Sequence, residues 1–387
     1  MNWPAIEYET LEWKPAGERI STRAAMKAPK SYEAAVVPRI ANLPVDLGER
    51  SLVEEATVAA ARFDATVASR IVPFAPLLLR SESVASSRIE QLTSSARKVL
   101  EAEVTGRGTG NAALIVANTR LMRAAVTGGA ATADGIVDMH RVLMEEPAPE
   151  IAGVLRQEQV WIGGSDLHPG GALFVPPHHR HVEGLLGDLE EFMNRRDVPI
   201  LVQAAIAHAQ FETIHPFADG NGRTGRALVH VMLRERGVTT AAALPISAGL
   251  LGDLDAYFVA LDAYRDGDAE PIVDLFAQAA LDSVARGQWL AAELDSVRAE
   301  WDQILSARSD ALAWQVLRLL VQRPVLTTSM VSAEFDVSAE TARNALERLE
   351  TDGIVVSAQL DKRQRAWRSP EVLELLDEFA ALGGRRG

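Results

Sequence analysis

One stretch limits what this chain can become: Ile214-His215-Pro216-Phe217-Ala218-Asp219-Gly220-Asn221-Gly222-Arg223-Thr224-Gly225-Arg226. Helix-like runs flank it, Leu201 to Thr213 before and Ala227 to Glu235 after. A polar, glycine-punctuated loop that feeds a helix start binds anions, because backbone N–H groups point outward there and the helix dipole favours negative charge.

Taken singly, the residues of the stretch are ordinary; together they describe attack on a phosphorus centre. His215 titrates close enough to neutrality to take a proton from a hydroxyl nucleophile. Asp219 is a hard oxygen ligand of the kind Mg²⁺ uses when phosphates complete its shell. Gly220, Gly222 and Gly225 let backbone approach phosphate closely or adopt positive φ. Asn221 can donate to a phosphate oxygen, and Arg223 and Arg226, three apart at a helix start, can fork onto others. The stretch is not a Walker loop, since the G-x-x-x-x-G-K-[ST] spacing and its lysine are missing.

The rest of the chain reads as mainly α, with few aromatics and no apolar run of the roughly 18 residues a membrane span needs. The N-terminus lacks a basic segment followed by an apolar one, so no signal peptide is read. There is no cysteine, which excludes disulfides and thiolate chemistry and makes a reducing cytoplasm the simplest location. A net charge of −14 argues against wrapping the whole protein on nucleic acid, though not against a small DNA-reading module.

Residues 1 to about 50 carry scattered prolines and little periodicity, and read as an extended arm. Helical patterns follow over Asp46–Ser69, Leu77–Gln91, Ala112–Ala125 and Thr132–Met144, with a flexible loop from Thr105 to Gly110. Between Arg156 and Pro177 two β-type runs flank a glycine-rich turn, which predicts a β-hairpin and almost the only strand pair of the body. Helices resume at Val182–Met193, Tyr257–Tyr264 and Ile272–Leu305. His178, His179 and His181 invite a metal reading, against which stands their place at the opening of a helix-like segment near the surface.

After Ala307 the texture changes. Leu312–Val321, Thr327–Glu334 and Ser338–Thr351 predict three helices, the last capped by Ser338. Strands at Ile354–Ser357 and Arg365–Arg368 complete a winged helix-turn-helix pattern. Its candidate reading face holds Arg343, Asn344 and Arg348, with Lys362, Arg363, Arg365 and Arg368 on the wing; Glu340, Glu347, Glu350 and Asp352 offset them. The boundaries expected are 1–110 for an arm and inhibitory helical region, 111–285 for a core, 286–310 for a helical connector and 311–387 for the winged helix. A DNA or protein partner for 311–387 and a homodimer stay open.

The central stretch matches every specified position of H-x-F-x-[DE]-G-N-G-R-x-x-R and so resembles the signature of the Fic family. Val37-Pro38, Leu43-Pro44 and Ala207-His208-Ala209-Gln210-Phe211-Glu212 resemble its arm and lead-in helix. The hairpin around Trp161-Ile162-Gly163-Gly164 resembles its target-positioning flap. The resemblance implies a Fic-type helical bundle that transfers AMP from ATP to a Tyr, Ser or Thr hydroxyl of a protein docked along the flap, residues 160–176. On that reading His215 is the base and Asp219 holds Mg²⁺. Gly220, Asn221, Gly222, Arg223, Thr224, Gly225 and Arg226 line the ATP phosphates, with Arg226 on the γ-phosphate. Phe217 would be a buried anchor, and Tyr257 would stand near the adenine. Ser86-Ser87-Arg88-Ile89-Glu90-Gln91 resembles the family's inhibitory motif [ST]-x-x-x-E-[GN], matched at Ser86 and Glu90 and departing at Gln91. It implies an N-terminal brake in which Glu90 competes for Arg226. The alternatives are a nucleotide-sensing winged-helix regulator of transcription, or a Fic enzyme that removes AMP or moves another phosphate-containing group.

Overall fold

The computed structural model describes residues 3–14, 28–45, 48, 50–69, 74–165, 167–308, 311–360 and 364–382. The chain opens with an antiparallel pair, β1 (Glu7–Glu12) and β2 (Ser31–Val36), in register from Glu7 opposite Val36 to Glu12 opposite Ser31. The expected extended arm thus contains a strand pair that its sequence does not announce. Beyond the pair the arm is pinned to the body: Asp188 accepts from the amide of Ile40 at 2.6 Å, and Gln210 donates to the Pro38 carbonyl at 2.8 Å.

Apolar residues at helical spacing then build a bundle. α1 (Ser51–Ala68) buries Val53, Ala56, Ala60, Phe63 and Val67 on one face. α2 (Ala75–Ile89) carries a proline in its first turn, where the missing N–H would have had no intrahelical partner anyway. α3 (Ala96–Thr105), α4 (Asn111–Gly128), α5 (Ala133–Met144) and α6 (Val182–Met193) follow. Next come α7 (Ile200–Ile214) and α8 (Asn221–Glu235). Every residue of α7 is buried, as the sequence Ile-Leu-Val-Gln-Ala-Ala-Ile-Ala demands of a helix apolar all round. α9 (Ile246–Leu251), α10 (Leu254–Arg265) and the 35-residue α11 (Glu270–Ile304) complete the body.

The predicted hairpin between Arg156 and Pro177 is reduced to isolated antiparallel bridges, Ile162 opposite Phe174 and Ser165 opposite His168. Gly163 and Gly164 both take positive φ, 72° and 77°, and a ladder cannot continue through two successive left-handed residues. The segment keeps the hairpin's path without its strands, and Leu173 near its tip is 86% exposed.

The C-terminal part runs α12 (Leu312–Gln322), β3 (Val325–Thr327), α13 (Thr328–Phe335), α14 (Ala339–Thr351), β4 (Val356–Gln359), β5 (Arg365–Arg368) and α15 (Pro370–Leu382). Its sheet has the order β3-β5-β4, all antiparallel. Ser338 caps α14, accepting from the amide of Thr341 at 3.1 Å. β3 and α15 were not foreseen. Three arginines of the candidate reading face are held by carboxylates: Arg348 by Asp352 at 3.0 Å, Arg365 by Glu350 at 3.0 Å and Arg368 by Glu101 at 2.9 Å. Lys362 and Arg363 lie outside the described residues. The apolar core is continuous from Trp3 to Phe379, so the expected boundaries do not divide it. Among the described residues no helix is long and apolar enough to cross a membrane.

Candidate active site

α7 ends because His215 adopts a left-handed conformation, φ 50°, which stops the helix and turns the chain. Gly220, at φ 79°, turns it back, and α8 starts at Asn221, six residues earlier than apolar periodicity suggested. Between these points Arg156 holds the loop by its carbonyls. Its Nε donates to the His215 oxygen at 2.8 Å, and another guanidinium nitrogen reaches the Ile214 and Pro177 oxygens. Burial pushes the Arg156 pKa down to about 10, and no carboxylate bonds to it, so a nearly dry cation is spent on shaping the loop.

Asn221 does the same work from inside. Its Oδ1 accepts from the Phe217 amide at 2.9 Å and its Nδ2 donates to the Phe217 carbonyl at 2.9 Å. Asn221 therefore staples the loop, and the second N–H of its Nδ2 is left for a further acceptor. Phe217 is fully buried, as expected, and His140 stacks on it at 3.7 Å. His140 Nε2 also meets the Asp219 carbonyl at 3.0 Å, and its Nδ1 accepts from the Gly153 amide. Burial lowers its pKa to about 4, which keeps the ring neutral. Sequence reasoning missed both Arg156 and His140, since each lies far along the chain with no local signal.

His215 stands at the mouth. Its side chain is 19% exposed, its Nδ1 is buried without a hydrogen-bond partner, and Glu212 lies 4.0 Å away. Burial first, then the charges of Arg156 and Arg265, lower its pKa to about 4. The imidazole is therefore neutral at physiological pH, with a lone pair to accept a proton. Glu212 is displaced the other way, up to about 7, by burial.

The first turn of α8 gathers groups that can receive an anion. Arg223 is 5% exposed, its Nε and Nη1 are buried with no partner, and its nearest carboxylate is Asp219 at 3.7 Å. Unpaired guanidinium nitrogens in a closed space are costly unless an anion visits them. Asp219 itself is 67% exposed on its side chain, with one oxygen taken by the Gly220 amide at 2.6 Å. Thr224 is fully buried and its hydroxyl has no partner. Two glycines lie at close approaches. A β-carbon at Gly225 would lie 2.8 Å from Glu212 and from Phe211, where α7 and α8 press together; one at Gly222 would collide with Glu90 Oε1.

Glu90 thus lies directly over the helix start. Its carboxylate bonds to Arg226 at 2.7 Å, while Arg226 also donates to the Ser86 hydroxyl and carbonyl, both at 2.9 Å. Burial opposes ionisation of Glu90, but the charge and hydrogen bond of Arg226 win and hold its pKa below the usual carboxylate range. Glu90 is the C-cap of α2, and Gln91 after it takes a left-handed conformation at φ 61°. That geometry explains why the motif it resembles ends in Gly or Asn, the residues that adopt it most readily. Tyr257 is 2% exposed and bonds to His208 at 2.8 Å; it backs the site from inside rather than offering a ring face at its mouth. Among the described residues no three His, Asp or Glu side chains converge as a metal group, His178, His179 and His181 included.

The Fic/DOC family model matches residues 130–233, which hold the loop, α7 and nearly all of α8. Residues 130–233 thus form a Fic domain. A Fic family protein from Desulfovibrio desulfuricans G20 superposes with a TM-score of 0.55 over 85% of this chain and 99% of its own, at 21% identity, so the two share the fold. Protein adenylyltransferase fic-1 of Caenorhabditis elegans is 30% identical over 156 residues, 40% of this chain and 28% of its own length. Protein adenylyltransferase Fic of Aedes aegypti is 28% identical over 166 residues, 42% of this chain and 30% of its length. The chain therefore matches less than a third of the length of these curated relatives.

Proposed function

We propose that the chain is a protein adenylyltransferase that moves AMP from ATP to a hydroxyl of a protein, restrained by its own Glu90. The observation that carries the reading is a neutral imidazole, His215, beside a helix start where Arg223 keeps two guanidinium nitrogens, Nε and Nη1, without a partner. A base with no adjoining anion site would suggest hydrolysis in general; an anion site with no base would suggest a sensor. The names of the relatives support the same chemistry.

In the reaction His215 takes the proton of the incoming hydroxyl as its oxygen forms a bond to the α-phosphorus. The bond from that phosphorus to the bridging oxygen of the β-phosphate breaks, and pyrophosphate leaves. Arg223 and the amides of Gly222 and Arg223 face the charge that develops, in a site that is already organised. Arg156, Asn221 and Phe217 hold the loop so that none of this must be assembled during the reaction. Asp219 fits Mg²⁺, since a cation shared with phosphates needs only one or two carboxylates, and Asp219 is the exposed carboxylate of the loop. Bound there, the ion would offset charge on the phosphates.

Glu90 occupies the place of the terminal phosphate on Arg226, so productive binding requires its displacement. A protein substrate would lie along residues 160–176, where strand pairing is limited to isolated bridges and Leu173 is exposed. The C-terminal module is assigned to protein docking rather than DNA, because Arg348, Arg365 and Arg368 are paired with carboxylates.

The test is incubation of a Glu90→Gly form with labelled ATP, Mg²⁺ and a cell lysate, with a Glu90→Gly/His215→Ala form alongside. Protein-bound label that depends on His215 is expected. Label absent from both, or equal in both, would overturn the assignment in favour of a nucleotide sensor.

A further inference from the structure

A cavity of about 820 Å³ lies away from the loop, between the first half of α2, α3, α4, the end of α8 and the C-terminal module. Its size is within the roughly 300–1,000 Å³ of small-molecule sites. Leu79, Leu100, Val126 and Met330 make apolar walls, and four arginines stand among them: Arg80, Arg123, Arg234 and Arg323. Glu103 is the single acidic side chain of the lining. In a chain of net charge −14 this concentration of cations requires a reason.

The arginines are not alike. Arg80 is used up: it grips Glu103 through Nε at 2.9 Å and Nη2 at 3.2 Å, and donates to the carbonyls of Pro76 and Gln322. Arg323 reaches Glu334 at 3.4 Å. Arg123 gives one nitrogen to Glu103 at 3.1 Å and is otherwise 55% exposed on its side chain. Arg234 donates to the Gly129 carbonyl, but its Nε is buried and has no partner. With Glu103 and Glu334 counted against the four arginines, an excess of two positive charges remains, carried by Arg123 and Arg234. A buried guanidinium N–H without an acceptor loses more than a typical hydrogen bond contributes, and an anion in the cavity would supply one.

We propose that this cavity is a second ligand site, for a small organic anion with an apolar body. A phosphate or carboxylate head lies against Arg234 and Arg123, and the body against Leu79, Leu100, Val126 and Met330. The site does not depend on the transferase reading. Its walls join the helix that ends in Glu90, the helix that carries Arg226 and the C-terminal module, so a ligand there bridges all three.

Naphthyl phosphate is a suitable probe, titrated into the full-length protein by calorimetry, with naphthol as the neutral control and naphthoate as the carboxylate arm. Naphthol should bind at least about tenfold more weakly than either anion, because a charge-assisted bond is worth about 1.5–3 kcal/mol. The stronger of the two anions names the head group. Arg234→Met should weaken the anions by about tenfold or more, and Ala242→Phe, which fills the cavity from the loop after α8, should abolish binding. Arg226→Ala should leave the affinity within about twofold, which separates this cavity from the Fic loop. Circular dichroism checks that each variant is folded. Loss of binding in Arg226→Ala, indifference to both Arg234→Met and Ala242→Phe, or no binding of either anion at about 1 mM, would overturn the proposal.

Discussion

α2 sends two carboxylates to α8, eight residues apart, and their surroundings make them opposites. Glu82 is fully buried. It meets His230 Nε2 at 2.9 Å and accepts from the Ser247 amide at 2.9 Å and the Ser247 hydroxyl at 2.5 Å. Glu90 is 39% exposed on its side chain, has one partner of opposite charge, and lies at a helix end that closes through a strained Gln91. A buried group with every acceptor used is an anchor, since releasing it would strand several polar atoms at once. Glu90 has fewer bonds to lose than Glu82, and its part-exposed side chain can turn to water while the buried Arg226 keeps both bonds to Ser86. The difference teaches that α2 is anchored firmly at Glu82 and held by fewer bonds at its tip. A brake built this way can lift Glu90 from Arg226 without unpacking the core.

The comparison can be broken most severely at the anchor. Glu82→Ala leaves His230 and Ser247 without their acceptor and should cost about 3–5 kcal/mol of stability in denaturant unfolding. A loss below about 1 kcal/mol would mean that the pair does not hold α2. At the tip, Glu90→Ala should cost only about 1 kcal/mol or less in the same assay, since Arg226 keeps both bonds to Ser86. If the two substitutions cost the same, anchor and tip are not distinct. Gln91→Gly relieves the left-handed residue and should add about 0.5 kcal/mol, while lowering any basal transfer by steadying Glu90.

The smallest change is expected in the pH profile of the Glu90→Gly form. A histidine with a depressed pKa is neutral above it, so its activity as a base is present at higher pH and lost as pH falls through about 4. Transfer should therefore vary by less than about twofold between about pH 5 and 7. An acid limb centred near pH 6.5 would show that His215 is not shielded as described.

The loop was legible in the sequence because its function is written in residue types at fixed spacing, from His215 to Arg226. The helices were legible wherever one face is apolar, as in Val182–Met193, where expected and observed bounds coincide. The pair β1 and β2 was not, because most of its residues are at least partly exposed and its register is set by a partner some twenty residues away. The flap was read as strands from its Val, Ile and Phe content, and the conformations of Gly163 and Gly164 override that preference. Arg156, His140 and Glu212 were invisible for a further reason. Their importance comes from burial beside the loop, which no short motif announces, and the bonds of Asn221 to Phe217 likewise show only in the folded loop.

The central claim is that Glu90 and the nucleotide compete for Arg226. The most direct measurement is the rate of self-labelling from labelled ATP in four forms: wild type, Glu90→Gly, Arg226→Ala and the double variant. The account predicts a gain of about 30-fold or more in Glu90→Gly, the equivalent of one charge-assisted bond at about 2 kcal/mol, and no gain when Arg226 is also absent. Equal rates in wild type and Glu90→Gly, or an undiminished gain in the double variant, would contradict it.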